Sequence, residues 1–114
     1  MVSLHVRLAP ETRGLVKAAD LGLMKPDAVF VNTSRAELVV PGALAAALSA
    51  GRPGFAAVDV YEEEPVRGAA EPLLGLSNAI CTPHLGYVEK DGYELYFGAA
   101  FENLAAFARE NCPA

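Results

Sequence analysis

The sequence predicts an α/β fold: a parallel sheet of about four strands with flanking helices and a long C-terminal helix. Two observations carry this. Short apolar runs, VSLHV, AVFVNTS, FAAVDVY and AICTPH, are separated along the chain by stretches of helical spacing or loop character, and strands joined by such crossovers pair in parallel. The run AVFVNTS is also apolar at consecutive rather than alternate positions, the pattern of a strand covered on both faces. Right-handed crossovers would then place helices on both sides of the sheet.

Each element has its own local reason. VSLHV begins at residue 2 with no preceding turn, so the chain reads as entering a domain part-way through. In ETRGLVKAADLGLMKP, Leu15, Ala18, Leu21 and Met24 fall at helical spacing and Pro26 is a stop. Gly22 weakens this short helix. PGALAAALSAGRPG predicts a helix with Pro41 near its first turn and Gly51 at its C-terminal cap. FAAVDVY is the next strand, and a tract rich in Glu, Pro and Gly from Glu62 to about Pro72 forms a surface loop. AICTPH is a short strand closed by Pro83. In the tail, Leu95, Ala99, Phe101, Leu104, Ala105 and Phe107 predict one amphipathic helix over residues 91–110 that docks on a partner surface.

Composition excludes several classes. With 114 residues the chain is a single domain, short for a complete two-domain enzyme. Hydrophobic residues make up 53% and charged ones 20%, which is globular and not disordered. The net charge of -5 and the scattered basic residues argue against a nucleic-acid surface. No apolar stretch reaches the ~20 residues of a membrane span, and the start lacks a signal peptide pattern, so a cytoplasmic protein is expected. Cys81 and Cys112 show no metal-ligand spacing; Cys81 is expected to be a buried strand residue.

Three charged residues follow strand-like runs: Arg35 after AVFVNTS, Glu64 after FAAVDVYEE and His84 after AICTP. If the runs are parallel strands, their C-terminal ends share one edge, where open α/β sheets bind ligands. Arg35 can hold a carboxylate bidentately at any working pH, or be a surface arginine paired with Glu37. Glu64 ends an acidic run that is otherwise solvated. Pro65 behind it favours extended backbone, and its carboxylate could bond a histidine ring and set its tautomer. His84, behind a proline and two residues before Gly86, could exchange a proton with a carbonyl or hydroxyl oxygen. His5, in the first strand, is a weaker candidate for a cofactor-side contact. Asp59, a carboxylate inside an apolar strand, must bond backbone donors or a ligand amide.

With their flanking words these residues resemble the D-isomer-specific 2-hydroxyacid dehydrogenases. SLHVRLAPETRGL is similar to that family's entry into the later half of the dinucleotide domain, LGLMKPDAVFVNTSRAELV to its arginine signature, GFAAVDVYEEEP to its aspartate and glutamate signature, and NAICTPHLGY to its histidine signature. The resemblance covers nearly the whole chain. It implies that residues 1–114 are the C-terminal portion of a Rossmann domain and that NAD, with NADP not excluded, is the cofactor. It further implies that Arg35 binds the substrate carboxylate, His84 is the general acid/base and Glu64 orients it. Thr33, Ser34, Arg35, Asp59, His84 and Gly86 would line the cofactor side, and no metal is implied. Glu64 stands where the formate-specific branch carries glutamine, which favours the 2-hydroxyacid branch.

There are departures. Arg7 and Ala36 stand where the family usually has proline and glycine, and no GxGxxG occurs in the chain, so the phosphate-cradling turn is missing. The acidic residue that reads the adenine ribose is missing too. The leading reading is therefore part of an NAD(P)-dependent oxidoreductase acting on a small 2-hydroxy or 2-oxo acid, inactive as a fragment. Such a fragment would have either a homo-oligomeric partner or a missing N-terminal half. The alternative is a non-catalytic NAD-sensing or partner-binding module, and a third reading is a structural α/β domain with accidental charges.

Overall fold

Four short strands, β1 (Val2–Leu4), β2 (Val29–Asn32), β3 (Phe55–Val58) and β4 (Ala79–Cys81), pair in parallel in chain order. The structure, a computed structural model, describes residues 1–68 and 71–111. Register places Val2, Phe30, Ala56 and Ala79 in one row and Leu4, Asn32, Val58 and Cys81 in another. Strand side chains alternate between faces, so both rows point the same way. Phe30, Ala56, Leu4 and Val58 form the floor of the core, together with Leu21, Leu38, Leu44 and Leu48.

The intervening row, Ser3, Val31, Ala57 and Ile80, faces the other side, and Ile80 is 70% exposed there. Helices α1 (Ala18–Gly22) and α2 (Ala43–Ser49) pack against each other and join the same core. This corrects the expectation of helices on both faces. Every crossover steps in the same direction across the sheet, so right-handed connections all fall on one side. The consecutive apolar residues of AVFVNTS therefore do not mean cover on both faces here.

The first predicted helix is shorter than its periodicity suggested. Gly14 and Val16 donate to the carbonyls of Glu37 and Leu38, and Val40 donates back to Val16. This ladder takes residues 14–16 out of the helix, with Gly14 in a left-handed turn and Val16 in a parallel bridge with Val39, leaving only five residues for α1 and Leu15 half-exposed. The cap predicted for α2 is present: Gly51 has φ 78°, and the amides of Gly51 and Arg52 bond the carbonyls of Leu48 and Ala47. That is a Schellman closure, which needs the left-handed residue glycine supplies.

The acidic loop is followed by a short 3-10 turn, Pro72–Gly75, which buries Leu73 and is capped by Glu71 accepting from the Leu73 amide. Ala69 and Ala70, within that loop, and Cys112 lie outside the described residues. Cys81 sits on β4 as expected but is only half-buried, because β4 is an edge strand. The C-terminal helix α3 spans Lys90–Asn111, one residue longer at each end than predicted, and none of its residues is buried. Leu95, Phe101, Leu104 and Phe107 are each more than 60% exposed. The rod projects from the sheet and stretches the molecule to 66 × 30 × 24 Å. No helix is long and apolar enough to cross a membrane among the described residues.

Candidate active site at the carboxyl ends of the strands

The Arg35 turn is built by Asn32, the last residue of β2, which is 2% exposed. Its carboxamide oxygen accepts from the Ser34 amide at 3.1 Å, and its nitrogen donates to the Arg35 carbonyl at 2.9 Å. The Ser34 hydroxyl donates to the Leu4 carbonyl at 2.9 Å, tying the turn to β1. One buried side chain thus satisfies backbone groups that the end of a strand would otherwise leave open. Arg35 is exposed, and its Nη1 donates to the Ser34 carbonyl at 2.6 Å. The surface pairing with Glu37 does not occur: Glu37 faces Arg13 at 3.9 Å, and Arg35 has no ion-pair partner among the described residues.

Beyond β3, Tyr61 organises the carboxylate. Its amide donates to Glu64 Oε1 at 2.8 Å, while its hydroxyl is shared between the carbonyls of Val58 (3.2 Å) and Thr82 (3.0 Å). The ring therefore ties the end of β3 to the segment leaving β4. Burial, followed by the neighbouring Cys81, pushes the Tyr61 phenol up, so it is a donor at any working pH.

Glu64 Oε2 lies 2.7 Å from His84 Nδ1. The His84 hydrogen bond above all, then the Tyr61 amide, holds the Glu64 carboxyl below its ordinary range, with smaller help from the His84 and Arg35 charges. An ionised carboxylate only accepts, so Nδ1 carries the proton and donates. Nε2 is left to exchange a proton with whatever lies beyond it. Beside the pair, Tyr61, Glu64, Pro65, Leu74, Cys81 and His84 line an open depression of about 630 Å³, which Arg35 does not line.

Asp59 is 4% exposed and lies just past the end of β3 rather than within it. Its carboxylate accepts from the Thr82 hydroxyl (2.5 Å) and the Leu85 amide (2.7 Å) on Oδ1, and from the Gly86 amide (2.7 Å) on Oδ2. Burial opposes its ionisation, yet these donors and the His84 charge hold it below its ordinary value. His84 has φ 55°, a left-handed backbone uncommon for a residue with a side chain. A Cβ on Gly86 would stand 3.0 Å from Asp59 Oδ2 and 3.8 Å from Thr33 Cβ. Thr33, Asp59 and Gly86 therefore converge.

The fold brings Arg35, Glu64 and His84 to one edge, with Thr33, Ser34, Asp59 and Gly86 beside them. His5 directly follows the carboxyl end of β1, and its Nε2 lies 2.9 Å from Ser3 Oγ. Three contributors were not singled out from sequence. Asn32 carried a signal as the polar end of an apolar strand. Tyr61, between a strand and an acidic run, carried none. Tyr87 packs edge-on to the His84 ring at 5.7 Å, and the neighbouring Tyr93 phenol of α3 pushes its own phenol up.

The NAD-binding domain of the D-isomer specific 2-hydroxyacid dehydrogenases matches residues 1–86. The chain belongs to that family. It is 39% identical over 112 residues to a glyoxylate reductase of Thermococcus litoralis, a match that covers 98% of this chain and 33% of that protein. A hydroxypyruvate reductase of Blautia hydrogenotrophica is 36% identical over 109 residues, covering 96% and 34% of the two chains. The crystal structure of a phosphoglycerate oxidoreductase from Vibrio cholerae superposes with a TM-score of 0.85 at 60% identity, over 95% of this chain and 34% of that one. The chain thus spans about a third of the length of these dehydrogenase-family relatives. Its four-stranded parallel sheet is Rossmann-like, as in these neighbours.

The residues present fit the nicotinamide end of a dinucleotide. Asp59 Oδ2 accepts one protein hydrogen bond, fewer than a carboxylate oxygen can take, Thr33 is exposed, and at Gly86 the backbone comes close to Asp59 with no side chain between them. The chain contains no GxGxxG turn for the pyrophosphate end.

Proposed function

We propose that this chain supplies the substrate-side and acid–base half of an NAD(P)-dependent oxidoreductase site that interconverts a small D-2-hydroxy acid and its 2-oxo acid. The observation that carries this is the 2.7 Å Glu64–His84 pair at the carboxyl edge of the sheet, with the Arg35 charge close enough to favour the ionised Glu64. Arg35 holds the substrate carboxylate and sets its orientation. His84 Nε2 donates a proton to the carbonyl oxygen in reduction and takes one from the hydroxyl in oxidation. Glu64 keeps the ring in the tautomer that exposes Nε2 and stabilises the imidazolium that oxidation produces. Thr33, Asp59 and Gly86 face the carboxamide of the nicotinamide, which when bound supplies the hydride.

The test is a graft. This chain replaces the matching third of the Vibrio cholerae oxidoreductase, and 2-oxo acid reduction is followed with NADH. Arg35→Gln in the graft is expected to lower kcat/KM by about 10²-fold or more, the scale of removing one partner of a desolvated charge pair. Unchanged kcat/KM would contradict the role given to Arg35.

A second reading is a non-catalytic NAD-sensing or partner-binding module on the same fold, favoured by the exposed apolar surface of α3; in the first reading the chain by itself, without a GxGxxG, is inactive. Calorimetry of the 114-residue chain with NADH separates the two. Weak or no binding fits a half-site completed elsewhere, and tight binding favours the module. Exposed apolar residues along α3 and on the open sheet face suit association with a second copy or with the remaining part of such an enzyme.

A further inference from the structure

We propose that Asp59 is a positioning residue for His84, its carboxylate holding in place the turn that carries the imidazole. This rests on the reading of His84 as the acid–base group and goes beyond the cofactor contact given to Asp59 above. The donors Asp59 receives bracket the histidine: the Thr82 hydroxyl two residues before it, and the Leu85 and Gly86 amides one and two residues after it, all at 2.5 to 2.7 Å.

Between those anchors His84 has φ 55°, and its own amide donates to the Thr82 carbonyl at 3.1 Å. A left-handed residue with a side chain is held only where its surroundings over-determine it. Gly86 completes the device. A Cβ there would stand 3.0 Å from Asp59 Oδ2, so the absence of a side chain is what lets the Gly86 amide close on the carboxylate. Oδ1 accepts two bonds and Oδ2 one, and a carboxylate offers about four acceptor positions. Asp59 can therefore hold the turn and still receive one outside donor. Two carboxylates act on one imidazole: Glu64 bonds the ring and Asp59 fixes the backbone that aims it.

NMR of the isotope-labelled 114-residue chain tests this without substrate, using Asp59→Asn and Thr82→Val. Asp59→Asn replaces one accepting oxygen by a donor. Exchange of the Leu85 or Gly86 amide is expected to quicken about tenfold or more relative to the amides of β2 and β3, the scale of one lost charge-assisted hydrogen bond. The imidazole Nδ1 proton shared with Glu64 should broaden or vanish while the sheet amides keep their positions. Thr82→Val should act in the same direction by a smaller factor. Because the Nδ1 proton reports the aim of the ring, a purely structural role for Asp59 would leave it sharp. An unchanged Nδ1 resonance in folded Asp59→Asn overturns the proposal. Should that variant not fold, wild-type exchange and an unchanged Nδ1 proton in Thr82→Val overturn it instead. Neither readout involves turnover, so their failure leaves the dehydrogenase reading standing, and an inactive graft leaves this proposal standing.

Discussion

Glu64 Oε2 meets His84 Nδ1 at 2.7 Å although twenty residues separate the two in sequence. Two adjacent parallel strands and the Tyr61 amide bring them together. The contact makes the stability of the chain depend on acid. Glu64 is held below its ordinary 4.5 and Asp59 below its ordinary 3.8. A carboxylate whose folded pKa is depressed contributes stability above its unfolded value and loses it as pH falls through the folded one. Melting temperature should therefore fall on acidification below about pH 4.5. Glu64→Gln should flatten the upper part of that decline, by a modest amount because the side chain is about a third exposed. Thermal melts over a pH series check this, and an identical profile for the variant would contradict it.

Asn32→Ala should be costly for a surface-looking polar residue. The side chain is buried and makes two hydrogen bonds to backbone groups of the Arg35 turn. Leaving those groups unsatisfied destabilises by about 1–3 kcal/mol. Urea denaturation measures the loss, and a change within about 0.5 kcal/mol, usual for surface positions, would contradict the account.

Tyr61→Phe separates the two jobs of Tyr61. The hydroxyl tie to Val58 and Thr82 is lost, at about 1 kcal/mol, while the backbone amide that holds Glu64 stays. The urea midpoint should drop, and the Nδ1 proton of His84 should persist in the NMR spectrum.

Deleting α3, residues 90–111, should leave the melting temperature of the sheet domain nearly unchanged, since no residue of α3 is buried. It should also reduce self-association seen by sedimentation velocity, because the deletion removes Leu95, Phe101, Leu104 and Phe107 from the surface. A large drop in melting temperature would mean that α3 supports the sheet.

The strands and the three charged residues were legible because each lies in a continuous local pattern: an apolar run, then a polar end. Those patterns report where a strand stops, and in a parallel sheet the stops align. The faces of the sheet were not legible. Val29 and Val31 of β2 read as buried on both sides, but cover depends on the direction in which each crossover steps, which no local pattern records. The helix expected around Leu15 fell to a ladder between Gly14–Val16 and Glu37–Val40, a non-local pairing. Asp59 was legible as a carboxylate in need of partners. Its partners, Thr82, Leu85 and Gly86, lie 23 or more residues away, so its grip on the histidine turn emerged only in three dimensions.

The most direct measurement of the central claim is the turnover of the Vibrio cholerae graft with His84 replaced by glutamine. A graft carrying the unaltered chain should reduce a small 2-oxo acid with NADH. His84→Gln should cut kcat by about 10²- to 10⁴-fold, the contribution of a positioned general acid, with NADH binding retained. Turnover within a few-fold of the unaltered graft would contradict the claim that His84, aimed by Glu64, is the acid–base group.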